Sequence, residues 1–72
     1  MKRYFFDVTD GFHDQDEKGV ELADDRAAQI EAIRFAGEVL RHEPDRLEDG
    51  RLSIQVFDAE HEPLFSITVT LS

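Results

Sequence analysis

The 72-residue chain contains no cysteine, which excludes disulfides and thiolate metal sites. Basic residues are scarce. Eight Lys and Arg stand against 17 Asp and Glu, for a formal net charge of -9. A surface of that sign repels phosphate backbones, so general nucleic-acid binding is not expected. It repels anionic membrane surfaces as well. No run approaches the roughly 20 apolar residues of a membrane span. Lys2 and Arg3 open like a secretory signal, but Asp7 and Asp10 end the apolar run after a few residues. A cytoplasmic location is the expectation. There is no internal repeat and no low-complexity tract.

What is present suits one small globular domain spanning residues 1–72. Hydrophobic residues make up 40% of the chain and charged residues 35%. A domain of this size has little core with which to offset the conformational entropy of folding. Without a covalent staple, a partner subunit is a common remedy. The acidity is read first as a device for solubility, and second as a complement to a basic partner.

Residues Arg3 to Thr9 alternate, with Tyr4, Phe6 and Val8 on one side and Phe5 and Asp7 on the other. Such alternation predicts a strand. Asp10-Gly11 is a turn signal, followed by a polar loop from Phe12 to Lys18. Gly19 to Leu22 forms a short second strand, with Val20 and Leu22 inward. A helix is predicted from about Asp25 to His42. Asp24 or Asp25 caps it, and Ala28, Ala32, Phe35, Ala36 and Val39 form one stripe, flanked by Ile33 and Leu40. Pro44 prevents its continuation. The loop from Glu43 to Gly50 leads to two more alternating segments, one carrying Leu52, Ile54 and Val56, the other Phe65, Ile67, Val69 and Leu71. The short link from Asp58 to Pro63 makes them an antiparallel hairpin.

The fold class is therefore α+β: a small antiparallel sheet with one helix on one face, in the order β-(β)-α-β-β. The expected core is Tyr4, Phe6, Val8, Ala28, Ala32, Phe35, Val39, Ile54, Val56, Phe65, Ile67 and Val69. The other sheet face would show Phe5, Phe57 and Leu64 among Ser53, Gln55, Ser66, Thr68 and Thr70. Those three apolar side chains on an otherwise polar face are the candidate protein-interaction residues.

Chemistry-bearing patterns are sparse. Asp14, Asp16, Gly19 and Asp25 have the spacing of a calcium loop, but Lys18 occupies a ligand position and no helix leads in. His13, His42 and His61 lie in separate segments, whereas zinc needs at least three convergent ligands. Ser53 and Ser66 lie on strand faces, without a nucleophile turn. No catalytic residue, metal site or cofactor is assigned, and the chain is read as a non-enzyme.

The string Arg3-Tyr4-Phe5-Phe6-Asp7-Val8, then Asp10-Gly11, Asp16-Glu17-x-Gly19-Val20-Glu21-Leu22, Asp25-x-x-Ala28 and Glu31-Ala32 resembles a family of short bacterial proteins of unknown function. They are found mostly in rhizobia and related alphaproteobacteria. The carboxyl half resembles that family too, through its alternating strand, the acidic turn before Pro63 and the Thr-rich last strand. Where the family often has Pro after Glu-Leu, this chain has Ala23. The resemblance implies no activity and no site residues. A looser likeness of layout and charge links the chain to the antitoxin partners of small bacterial toxins.

The favoured reading is a non-enzymatic protein-binding or regulatory module that forms a homodimer. One alternative is an antitoxin-like acidic protein masking a basic partner. Another is a weak metal or small-ligand sensor using the acidic loop 13–21.

The charge yields a first prediction. Self-repulsion at a net charge of -9 weakens the compact state at low salt. Adding salt to about 0.15 M shortens the Debye length to about 8 Å and is expected to raise the melting temperature. A melting temperature that falls over this range would mean that favourable ion pairs dominate. In the same low-salt buffer, fluorescence anisotropy is expected to show no binding of duplex DNA.

Overall fold

A computed structural model describes residues 1–9, 13–47 and 50–71, with the backbone alone at His13. The Asp10-Gly11 turn, Phe12, Asp49 and the His13 side chain lie outside the described residues. The elements run β1 (Lys2–Thr9), β2 (His13–Asp14), β3 (Val20–Leu22), α1 (Asp25–His42), a 3-10 turn at Pro44–Leu47, β4 (Arg51–Phe57) and β5 (Pro63–Thr70). The predicted α+β class and the helix bounds agree with this. All strand pairings are antiparallel. The strand order is β2-β1-β4-β5, and β3 also pairs with β1.

Strand β2 was not expected, because two residues inside a polar loop give no alternation to read. Val8 faces Asp14 in this pairing, and Tyr4 faces Val20 in the pairing with β3. The segment 13–22 thus follows one edge of β1 while β4 follows the other. With a strand on each side, β1 is internal.

The helix begins where Asp24 supplies an acceptor: its side chain takes the Ala27 N–H at 2.9 Å. Asp25, the other candidate cap, bonds elsewhere. Ala28, Ala32, Ala36 and Val39 are the buried stripe of α1. Three of the four are alanines, so the helix sits low on Tyr4, Phe6, Val8, Leu52, Ile54 and Val56. Tyr4, Leu52, Ile54 and Val56 are the largest side chains fully withdrawn from solvent.

The core differs from expectation in four ways. Leu52 and Ala36 belong to it. Phe35 is only half-buried and meets Phe6 edge-on, with ring centroids 6.4 Å apart. Phe65, Ile67 and Val69 have the expected inward face, yet each is only half-buried, because β5 is the outermost strand and α1 covers it only in part. Val20 also faces inward but is exposed, since β3 lies beyond the opposite flank of the helix.

These burials order two truncations. Leu52→Ala empties a site closed on all sides and is expected to cost about 2–5 kcal/mol in urea unfolding. Phe35→Ala removes a larger side chain from a half-open site and is expected to cost less. The reverse order would mean that α1 is rotated from the phase described.

Candidate functional site

The acidic segment 13–22 is built around Asp16. Its Oδ2 accepts the backbone N–H of Phe6 at 3.1 Å. Its Oδ1 accepts the N–H groups of Lys18 and Gly19, each at 3.1 Å. One carboxylate therefore bridges the gap in the ladder between β2 and β3 and closes the turn that follows. The Asp16 N–H in turn donates to Oδ1 of Asp7, which is buried, at 3.0 Å. Arg3 fastens the far end, donating to the Lys18 carbonyl at 2.6 Å and to Glu21 at 3.0 Å.

Gly19 is obligatory here. Its φ is +74°, and a Cβ at that position would lie 2.9 Å from the Tyr4 carbonyl oxygen and 3.0 Å from the Phe5 ring.

The carboxylates spaced like a calcium loop do not converge. Asp14 pairs with Arg46, Asp16 serves the backbone, and Asp25 accepts the Tyr4 hydroxyl at 2.7 Å. Among the described residues, no group of three or more His, Asp and Glu is arranged to hold a metal ion. His42 lies 3.1 Å from Glu38 on the helix surface.

The candidate interaction residues are split by the fold. Phe5 and Phe57 are cross-strand neighbours on the outer sheet face, as expected. Phe5, however, is only 9% exposed. The hairpin turn curls over it, stacking His61 on its ring at a centroid distance of 4.6 Å. His61 reaches that position with a φ of 62°, held by its N–H to the Asp58 carbonyl at 2.9 Å. Asp58 organises the turn further, its Oδ1 accepting the N–H groups of Glu60 and Glu62 at 2.9 Å each. Phe57 is half-buried and Leu64 exposed. The outer face thus presents Leu64 among Gln55, Ser66, Thr68 and Thr70, rather than an aromatic cluster.

A partly covered apolar row lies on the helix side of β5. Phe65, Ile67 and Val69 are half-buried there. Above them runs the flank of α1 that carries Ile33 and Leu40. The assignment of this flank follows from the 100° step of the helix. Phe35, Glu31 and Arg34 line a cleft of about 500 Å³ with Phe6, Val8 and Asp14, on the β1 side. Ile33 is on the opposite flank and is 62% exposed. A Cβ placed on Gly37, one turn further along, would meet nothing within 4 Å. The whole stretch from Pro63 to Ser72 carries no Asp, Glu, Lys or Arg. That neutrality is visible in the sequence, whereas the exposure of its inward face depends on where the helix stops.

On the β1 side the charges are matched. Arg34 pairs with Glu31, and its hydrogen bond holds the Glu31 carboxyl below its ordinary pKa. Arg46 lies between Asp14 and Glu43.

A family model described as a domain of unknown function, DUF6894, matches residues 3–70. No curated protein and no solved structure matches the chain. No helix among the described residues is long and apolar enough to cross a membrane.

Tyr4 gives a pH test of this architecture. Its hydrogen bond to Asp25, then burial, then the charges of Asp25, Asp24 and Asp58 push its hydroxyl up to about 12. An unfolded tyrosine ionises near 10. The raised value means that its contribution to stability is complete below about pH 10 and is lost as pH rises towards 12. Tyr4 is the sole tyrosine, so phenolate absorbance reports it directly. Asp25→Ala is expected to bring the transition down towards 10, and a native transition already near 10 would contradict the contact.

Proposed function

We propose, from the premise that the chain belongs to the DUF6894 family, a domain of unknown function, that it is a non-enzymatic protein-binding or regulatory module that forms a homodimer. The observation that carries this reading is the half-buried apolar strip formed by Phe65, Ile67 and Val69, with exposed Ile33 on the helix flank above them. Interface cores are depleted of charge and rich in such side chains. A chain in which 35% of residues are charged keeps this strip neutral. The small core adds a motive, since burying the strip would supply stability that 72 residues otherwise struggle to find. The contact surface is accordingly placed on the β5 side rather than on Phe5, Phe57 and Leu64. We read the protein as bacterial, following the family resemblance, and as cytoplasmic.

A second reading rests on the net charge of -9. The excess of acids over bases gives the surface a negative field to which a basic protein partner would be drawn, as an antitoxin draws its toxin. Binding of that kind weakens steeply with salt, whereas association through an apolar strip does not.

Sedimentation equilibrium at micromolar concentration tests the first reading. A mass near twice the 8.3 kDa of one chain is expected, with association holding or strengthening as salt screens the like charge of the two copies. The mass of a single chain at every concentration would overturn the homodimer.

A further inference from the structure

Strand β5 has β4 on one side and no strand on the other among the described residues. The direction of its free backbone groups follows from one bond. Leu71 N–H donates to the Gly50 carbonyl at 3.0 Å, so that pair is a hydrogen-bonded one. Antiparallel pairs alternate, and Arg51 faces Thr70, Ser53 faces Thr68 and Gln55 faces Ser66. Those three are the non-bonded pairs. The N–H and C=O groups of Ser66, Thr68 and Thr70 therefore point away from β4, along the open edge.

An edge of this kind is normally protected by charge, proline, a bulge or brevity. Strand β5 spans eight residues, and its one proline, Pro63, stands at its start. Its bulge lies beside Val56 and Phe57, away from the middle, and it has no charged residue.

Resting on the homodimer reading above, we propose that the occupant of this edge is a second copy of the chain. The two β5 strands pair antiparallel about a two-fold axis near Ile67 and Thr68. The two sheets then form one continuous sheet with both helices on the same face. The identity of the occupant follows from charge. Each copy carries -9, so two copies are repelled wherever their acids meet. Along β5 there is nothing to repel. The acids of the hairpin turn, Asp58, Glu60 and Glu62, fall at opposite ends of the paired strands, and Arg51, opposite Thr70, lies towards the turn of the other copy.

The pleat settles the rest. Any register that pairs outward backbone groups with outward backbone groups also places Phe65, Ile67 and Val69 of both copies on the helix side. Ile33 of each copy then faces the axis.

Thr68→Pro tests this directly. It removes an N–H that faces the open edge and leaves the β4 ladder complete, a position where a strand tolerates proline. Sedimentation equilibrium is expected to give a dimer for the native chain and for Thr68→Ala. For Thr68→Pro it is expected to give a single-chain mass with helical circular dichroism unchanged. A native dimer that survives Thr68→Pro overturns edge pairing while leaving the homodimer standing. A native monomer overturns both. Should the proline variant unfold, amide exchange of the native chain decides. The Ser66, Thr68 and Thr70 amides are expected to be protected in the dimer, and fast exchange at all three would overturn the pairing.

Discussion

A side-chain carboxylate stands where a strand would otherwise have to be. Between β2 and β3 the chain leaves the edge of β1, and the Phe6 N–H has no backbone carbonyl opposite. Asp16 fills that place with one oxygen and closes the following turn with the other. A hydrogen bond to an ionised acceptor is worth roughly twice a neutral one, so a single residue can hold this gap. The consequence spreads through the fold. With segment 13–22 held along it, β1 has neighbours on both sides, and Tyr4 to Val8 are all buried, Asp7 included. Among the described residues, the sheet is left with one long open edge, at β5.

The legibility of the sequence follows from how local each signal is. The helix could be read because its alanine stripe, its Asp24 cap and Pro44 all act within one element. The strand faces of β1, β4 and β5 could be read because alternation is set by the pleat. Burial could not be read from alternation, since it depends on what another element brings over. Phe5 points to the outer face as its position requires, and is covered there by His61 and Gly19 from two different loops. Phe65, Ile67 and Val69 point inward as expected, and find less helix above them than the pattern implies. The Asp16-x-x-Gly19 spacing did carry a local signal for a side-chain-capped turn. Its acidity suggested a cation instead, although a carboxylate can accept from backbone N–H groups equally well.

The two edges of the sheet are built in opposite ways. The β2–β3 edge is short, interrupted and lined by Asp14, Glu17 and Glu21, all features that discourage another strand. The β5 edge is long, regular and neutral. In a chain with 17 acids, a neutral edge strand is a departure from the composition of the rest. The acids therefore do more than confer solubility, for they limit where a like-charged surface can approach.

The width of the sheet explains why an apolar strip is left over. Four strands spaced about 4.8 Å apart span about 14 Å between their outer axes. A helix with its side chains is only about 10–12 Å across. One helix cannot cover four strands, and an alanine stripe draws α1 down onto the middle of the sheet, where Ile54 and Val56 are fully withdrawn from solvent. Something at the margin must stay open. On the β1 side the margin is the cleft, with Arg34, Arg46 and their acids around it, and side chains of that length shield apolar surface with their stems. On the β5 side the margin is Phe65, Ile67 and Val69 with Ile33 above, and no long charged side chain of β5 is there to shield them. The same shortage of helix is thus resolved by charge on one side and left unresolved on the other.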